Sequence, residues 1–208
     1  MSFDFRRLPK KRSSGCFCSE ARLSSSCRYS SGSWFQETVI SLSLERACLE
    51  DIPFIQKLEK EAFGQSWEDE TFQRELVRSN GATVIAKHRG VALASALLVW
   101  AADEVQLNSI VVEPAYRGRG YSVEFLGQLM AWCQREEFSW MTLEVRWENP
   151  PAWKLYHKLG FVTTACRQNY YSDGEDARLM WAGHLQSQGH LRRLRPFANP
   201  DLKLRRTS

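Results

Sequence analysis

The sequence predicts an α/β protein with one mixed central sheet flanked by helices. Patterns typical of strands and helices alternate along the chain, in the order strand, two helices, three strands, helix, strand, helix, two strands. Strand patterns follow one another without a helix at three junctions, which favours a mixed sheet over a fully parallel one. The 208 residues, 43% of them hydrophobic, are sufficient for one substantial core.

The first half of the domain is predicted to begin with a strand and two helices. The strand covers about residues 38–44. Asp51 can cap the first helix, Pro53 fits its first turn, and an apolar face extends to about residue 63. The segment Ser66-Trp67-Glu68-Asp69 is predicted to cap a second short helix that ends near residue 76. Three strands then follow, at residues 82–87, 91–100 and 104–112, the first two joined by a turn at Gly90.

The second half begins with a glycine-containing turn that leads into a helix ending near residue 136. A strand is predicted at 140–145. Asn149, Pro150 and Gly160 are typical of the cap, first turn and end of the next helix. The last two predicted strands are at residues 161–168 and 175–181.

Charge divides the chain into three predicted segments. Residues 1–37 form a basic, Ser-rich extension of net charge +4, residues 38–184 form the acidic domain, and residues 185–208 form a basic tail of net charge +5. Solvated termini are one interpretation of these tails, and contact with nucleic acid or a ribosomal surface is the other. Residues 1–36 also resemble an organellar transit peptide, and an extension from an early start codon is the alternative.

Composition argues against several classes of protein. The longest apolar run, residues 91–102, is too short to span a bilayer, so no membrane partner is expected. The six cysteines lack a regular framework, which indicates free thiols in a reducing compartment. Cys16, Cys18 and Cys27 have the wrong spacing for common zinc sites, so no metal is expected. The expected location is the cytoplasm, or a chloroplast or mitochondrion if residues 1–36 are a transit peptide.

The turn at Arg117-Gly118-Arg119-Gly120 joins a strand to a helix. Glycines allow positive φ and close approach of a ligand, and free N–H groups at a helix start suit a pyrophosphate. An ordinary strand-to-helix turn is the alternative. The sequence here has neither the third glycine of a dinucleotide fingerprint nor the Gly-Lys-Ser/Thr of a P-loop.

Two polar side chains are notable in the block that follows. Glu144 lies in an otherwise apolar strand, where an ion pair with Arg146 or another cation is one explanation and chemistry is the other. Tyr156 shares a helix face with Ala152 and Leu159, so it is either a core tyrosine or a site residue.

These motifs resemble the GNAT acetyltransferases. Residues 117–122 are similar to the coenzyme A turn of that family, Arg/Gln-x-x-Gly-x-Gly/Ala, with serine in the last place. Residues 143–161 resemble the RimI group, with Leu-Glu-Val-Arg, then Asn, Leu-Tyr and Leu-Gly-Phe. Similar segments at 63–67 and 167–177 extend the resemblance over about residues 40–183.

The resemblance implies a GNAT acyl-CoA N-acyltransferase fold, acetyl-coenzyme A as co-substrate and specific residue roles. Glu144 would be the general base, Tyr156 the general acid beside the coenzyme A sulfur, and Asn149 a coenzyme A contact. Backbone groups of Ile110, Val111 and Val112 would hold the acetyl and pantetheine part. The pyrophosphate turn would comprise Arg117, Gly118, Arg119, Gly120, Tyr121, Ser122 and Val123, and the peptide-binding residues would be Trp67, Tyr170, Tyr171 and Glu175.

Acetyl transfer requires a neutral amine. An α-amine, with a pKa of about 8, is neutral far more often at pH 7 than a lysine, with a pKa of about 10.4, which favours a protein N-terminus as acceptor. The RimI resemblance implies the N-terminal alanine of a small-subunit ribosomal protein. The alternatives are another N-terminus, a lysine, a small amine, or a non-catalytic protein that binds coenzyme A or the ribosome.

Overall fold

The computed structural model describes residues 40–64, 66 and 68–204. The predictions for the N-terminal extension, including its three cysteines, for Trp67 and for residues 205–208 lie outside the described residues.

The described chain contains seven strands and five α-helices. In chain order they are β1 (Ser43–Arg46), α1 (Ile52–Phe63), α2 (Asp69–Val77), β2 (Gly81–His88), β3 (Val91–Ala101), β4 (Glu104–Val112), α3 (Tyr121–Arg135), β5 (Trp140–Arg146), α4 (Pro150–Leu159), β6 (Val162–Arg167), β7 (Ala177–Gly183) and α5 (Gln188–Leu194). The predicted order is confirmed up to β7, and α5 is an addition to it.

The seven strands form one sheet in the order β1-β2-β3-β4-β5-β7-β6. All neighbouring strands are antiparallel except β4 and β5, which are parallel and connected through α3. A parallel pair requires a long crossover, and α3 provides it. The predicted mixed sheet is therefore confirmed.

Helices cover both faces of the sheet. Ile85 of β2 packs with α1 and α2, through Ile55 and Phe72. Its neighbours Val84 and Ala86 point to the opposite face and join the larger cluster formed with α3 and α4. Alternate residues of a strand point to opposite faces, so this strand is buried on both.

The sheet opens between its two parallel strands. The β4–β5 ladder ends where Leu107 pairs with Leu143. In the pairing with β3, Ser109 follows Leu107, which leaves Asn108 as an extra, bulged residue. From there to Val112, β4 pairs only with β3. Bulges bend a strand and end its pairing, and here the result is a cleft between two strands.

Both predicted helix caps lie where the sequence places them. Asp51 is the N-cap residue of α1, but its carboxylate accepts a hydrogen bond from the Cys48 backbone N–H at 2.9 Å and makes no side-chain cap to α1. A short 3-10 turn at Leu49–Asp51 precedes α1, and the carboxylate bonds to that turn instead. The N-cap residue of α2 is Glu68, within the predicted segment 66–69, and its side chain makes no cap hydrogen bond.

The expectation of a solvated C-terminal tail is wrong for residues 185–204. Helix α5 packs against α3, and the side chains of Leu194, Leu202 and Leu204 are buried. The Arg135 guanidinium donates to the backbone carbonyl of Leu202, and that of Arg46 to Leu204. Leucines placed between the basic residues supply the apolar contacts. None of the helices described is long and apolar enough to cross a membrane.

Replacement of a buried leucine in α5 is expected to destabilise the whole domain. Leu194→Ala should lower the free energy of unfolding by about 2–5 kcal/mol, because it leaves a cavity against α3. Urea denaturation measures this change. Leu191→Ala is the matched control, since Leu191 is on the same helix and 38% exposed. Equal stability of the two variants would show that the C-terminal segment does not share the core.

Candidate active site

The glycine turn has the geometry that its sequence predicts. Gly118 and Gly120 have φ of 73° and 91°, a left-handed conformation that side chains rarely adopt, and Gly120 is the N-cap of α3. A Cβ at Gly118 would meet nothing within 4 Å, whereas one at Gly120 would lie 2.9 Å from the Ile40 side chain. The turn therefore presents bare backbone to open space at Gly118, and Gly120 packs closely against Ile40.

The backbone N–H groups of residues 118–122 are available to a ligand. The Val123 N–H is the first in α3 that donates to a backbone carbonyl, that of Gly120, at 3.0 Å. Among the residues the structure describes, the N–H groups of residues 118–122 have no acceptor. Free N–H groups at the positive end of a helix dipole bind anions such as pyrophosphate. Arg119 and Ser122 flank these groups.

Aromatic side chains fix the turn in place. The ring of Tyr121 makes edge contacts with His88 and Tyr116, at centroid distances of 5.4 and 5.6 Å. Arg117 turns back to donate its Nε–H to the Val112 carbonyl at 2.8 Å. Arg117 therefore ties the turn to the end of β4, and its guanidinium does not point freely at a phosphate.

Strand β4 presents alternate backbone groups to the cleft. The Glu113 N–H donates to the Leu93 carbonyl of β3 at 2.8 Å. Alternate residues of an antiparallel strand direct their backbone groups to the same neighbour. Those of Val111 therefore also face β3, whereas those of Ile110 and Val112 face the cleft. Ile110 can therefore offer both its N–H and its carbonyl to a ligand lying there, whereas Val112 can offer only its N–H, because its carbonyl accepts from Arg117.

Glu144 lies on the opposite side of the cleft, one residue beyond the end of the β4–β5 ladder. One carboxylate oxygen accepts from the Gln106 side chain of β4 at 3.2 Å, and the other lies 3.3 Å from the Arg167 guanidinium of β6. Its side chain is only 11% exposed. The predicted ion pair therefore exists, but its cation is Arg167 and not Arg146.

Tyr156 is buried in α4, with its ring against Phe161 at 5.8 Å. Burial raises the pKa of its hydroxyl to about 12. No hydrogen bond joins this hydroxyl to another of the described residues, and it is not one of the fully enclosed polar atoms. The hydroxyl is close enough to Tyr171 to contribute to the raised pKa of that residue, so α4 and the β6–β7 loop are near each other. The hydroxyl is a protonated donor without a protein partner.

Asn149 caps α4 as predicted, since its side-chain oxygen accepts from the Ala152 N–H at 3.2 Å. The oxygen of the side-chain amide is therefore committed to the helix. Only the amide N–H groups remain for a ligand.

The β6–β7 loop brings Tyr170 and Tyr171 beside Glu144. Burial, followed by the negative charge of Glu144, raises the pKa of Tyr170. Burial likewise raises the pKa of Tyr171, whose ring lies under the Arg146 guanidinium at 4.1 Å. Two phenols and a carboxylate therefore line one wall of the cleft.

Glu175 holds this loop in place. Its carboxylate accepts from the Glu148 N–H at 2.9 Å and pairs with Arg146, which also pairs with Asp173 at 2.8 Å. These bonds, the Glu148 N–H first, lower the pKa of Glu175. Glu175 was predicted to contact the peptide, but its carboxylate is already bonded to groups of the protein that hold the loop.

Two site residues were missed by the sequence analysis. Gln106 and Arg167 both contact the Glu144 carboxylate. A polar residue in apolar β4 was a usable signal for Gln106. Arg167 reaches Glu144 across β7, which lies between β5 and β6 in the sheet, and the sequence does not reveal that order. No group of three His, Cys, Asp or Glu side chains within residues 40–204 as described is arranged to hold a metal.

The chain was compared with known proteins. Residues 52–161 match the model of the acetyltransferase (GNAT) family. An Escherichia coli (strain K12) [ribosomal protein bS18]-alanine N-acetyltransferase is 32% identical over 136 residues, which are 62% of this chain and 89% of the relative. A Bacillus subtilis (strain 168) protein provisionally given the same name is 33% identical over 135 residues, 64% of this chain and 89% of its own length.

Solved structures agree with this result. The crystal structure of the Escherichia coli ribosomal-protein-S18-alanine N-acetyltransferase superposes with a TM-score of 0.63 at 28% identity, over 69% of this chain and 94% of that one. Ard1 from Thermoplasma volcanium, at 22% identity and a TM-score of 0.61, covers 68% and 97% and shows the shared fold alone.

The cleft, the amide-rich turn and the match over half of the chain define an acyl-transferring α/β enzyme. The chain belongs to the GNAT acetyltransferase family and is an acetyl-coenzyme A-dependent N-acetyltransferase. The described residues fit the co-substrate, because the anion-binding amides and the open edge of β4 adjoin each other.

Amide hydrogen exchange tests the orientation of β4. In the free protein the Val112 amide should exchange faster than the Val111 amide, because only the latter is bonded to β3. Addition of coenzyme A should slow exchange at Ile110 and Val112 and leave Val111 unchanged. The Val111 amide serves as internal control. Strong protection of Val112 without ligand would contradict the proposed orientation.

Proposed function

We propose that this protein transfers the acetyl group of acetyl-coenzyme A to the α-amine of an N-terminal alanine on a small-subunit ribosomal protein. The observation that carries the proposal is the placement of Glu144 on the rim of the open β4–β5 cleft, facing the tyrosines of the β6–β7 loop. The relatives named for this reaction, at 32–33% identity over most of their length, support the choice of acceptor.

Glu144 is proposed as the general base. Its carboxylate lies near the cleft. Among the described residues, only Gln106 and Arg167 bind this carboxylate and so compete with an incoming amine for it. An α-ammonium group has a pKa of about 8, so a carboxylate, directly or through one water, can readily remove the first proton. The neutral amine then attacks the thioester carbonyl, and the amide N–H of Val112 would stabilise the oxyanion. As the tetrahedral intermediate collapses, the C–S bond breaks, the thiolate leaves and the nitrogen loses its second proton to solvent.

Tyr156 is proposed to assist departure of the thiolate. A hydroxyl with a pKa of about 12 is a much weaker acid than a thiol, with a pKa of about 8.5. Full proton transfer from Tyr156 to the thiolate is therefore unfavourable. The physically consistent role is a hydrogen bond from the hydroxyl to the sulfur as negative charge develops, with protonation of the thiolate from solvent afterwards.

The remaining predicted residues are assigned to binding. The amides of Gly118 to Ser122 would hold the pyrophosphate, Arg119 and Val123 would border it, and the Asn149 amide would contact the pantetheine arm. Tyr170 and Tyr171 would line the acceptor channel, with Glu175 keeping the loop in shape through Arg146.

A panel of acceptors tests the proposed function. Purified protein with labelled acetyl-coenzyme A is offered three peptides: the N-terminal sequence of the same organism's bS18 beginning at alanine, the same peptide acetylated at its α-amine, and a peptide with an internal lysine only. Label is expected on the first alone. Label on the lysine peptide instead would refute the choice of acceptor, and label on none would refute transfer to these amines.

Removal of the proposed base should reduce the rate without unfolding the protein. Glu144→Gln keeps the shape and should lower kcat/KM by about 10²-fold or more. The matched control is Glu148→Gln, an exposed carboxylate four residues further along the chain, which should retain wild-type kinetics. Full activity of Glu144→Gln would exclude Glu144 as the base.

The Tyr156 hydroxyl should affect turnover rather than binding. Tyr156→Phe should lower kcat by about 10- to 100-fold with a small change in KM, because the hydroxyl acts only as charge develops. The high pKa keeps the hydroxyl protonated as pH rises, so the deficit should be constant from about pH 7 to 10. A deficit that disappears above about pH 9 would point to a group with a lower pKa.

A further inference from the structure

The proposed base is covered by an arginine at the exposed edge of the sheet. Arg167 is the last residue of the edge strand β6. All six residues of that strand are exposed. It lies in the same cross-strand row as Arg146 and Ala177, so it projects from the face that carries Glu144. Its guanidinium lies 3.3 Å from the Glu144 carboxylate.

The two partners of Glu144 differ in chemistry. Gln106 is neutral and comes from the interior of the sheet, whereas Arg167 is a cation whose side chain is 49% exposed. Both carboxylate oxygens are thereby engaged. An α-ammonium group that approaches Glu144 brings a positive charge to the carboxylate oxygen that Arg167 already contacts. The two cations cannot share that oxygen without strong repulsion.

Arg167 has a second position available. Its guanidinium already lies 5.5 Å from the centre of the Tyr170 ring, within the range of a cation–π contact. If Arg167 leaves Glu144, the ring of Tyr170 can act as its alternative partner, so the arginine need not enter solvent unpartnered. Arg146 has no such freedom, because it pairs with both Asp173 and Glu175 and stacks on Tyr171.

We propose that Arg167 is a positioning residue that stands in for the acceptor's α-ammonium on Glu144 and is exchanged for it when the acceptor binds. The inference rests on the proposed function. It follows that only an acceptor carrying a cation at its N-terminus displaces Arg167. Peptides without the amine leave the arginine in place, which makes Arg167 a determinant of amine selectivity.

Kinetics of an Arg167→Gln variant test the exchange. The bS18 N-terminal peptide is the substrate, and the same peptide with its α-amino group replaced by hydrogen is the competitive inhibitor. KM for the substrate should fall about two- to fivefold, the range expected from a half-exposed ion pair. The inhibition constant of the deaminated peptide should not change, and kcat should stay within about twofold of wild type.

Two further variants separate the specific pair from general charge effects. Arg167→Lys keeps the cation and should behave as wild type. Arg178→Gln removes a half-exposed arginine that stacks on Trp147 and lies beside Val145 in the ladder, and it should change neither constant. Equal melting temperatures of all variants show that each is folded.

The results distinguish the two proposals. Equal shifts of KM and the inhibition constant, or the same shift in Arg178→Gln, would attribute the effect to surface charge and refute the exchange. A loss of kcat at unchanged KM would mean that Arg167 holds Glu144 throughout the reaction, which also refutes it. Wild-type protein that acetylates no α-amine would refute the proposed function, and the exchange with it.

Discussion

The early end of the β4–β5 ladder is the constraint on which the rest of the site depends. Two parallel strands that paired along their full length would satisfy each other's backbone groups and leave no cleft. The bulge at Asn108 and the end of pairing at Leu107 and Leu143 instead leave the backbone groups of Ile110 and the N–H of Val112 without a strand partner, while the Val112 carbonyl accepts from Arg117. A ligand with amide groups of its own can complete the ladder, so the unpaired edge is itself the binding surface.

The same opening determines where the polar side chains lie. Glu144 comes directly after the last paired residue of β5, and Gln106 comes just before the bulge in β4, so the two meet across the inner end of the cleft. At its outer end, the Arg117 guanidinium joins the end of β4 to the glycine turn. The amide-rich turn and the carboxylate are therefore held at opposite ends of one strand segment, and a long, extended co-substrate fits that arrangement.

The sequence predicted the local features well and the long-range contacts poorly. The positive φ of Gly118 and Gly120 and the Asn149 cap depend on residues a few positions apart, so their signals are contained in short motifs. The identity of the cation that pairs with Glu144 is not contained in a short motif. Arg146 was the nearest cation in sequence, but it lies in a row with Ala177 and Arg167 and is drawn to the β6–β7 loop. The strand order β5-β7-β6 decided between the two arginines, and it is a property of the whole sheet.

The two arginines on this face also show how the fold assigns rigidity. Arg146 extends from a central strand and has three partners, so the loop that carries Tyr170 and Tyr171 is fixed in shape. Arg167 extends from the edge strand, where no further strand is described beyond it, and its ion pair is with Glu144. Movement of a side chain on an edge strand disrupts few other contacts of the fold. A fixed channel wall beside a displaceable cation is what an enzyme needs if its carboxylate must remain charge-compensated at rest and become available to an incoming amine.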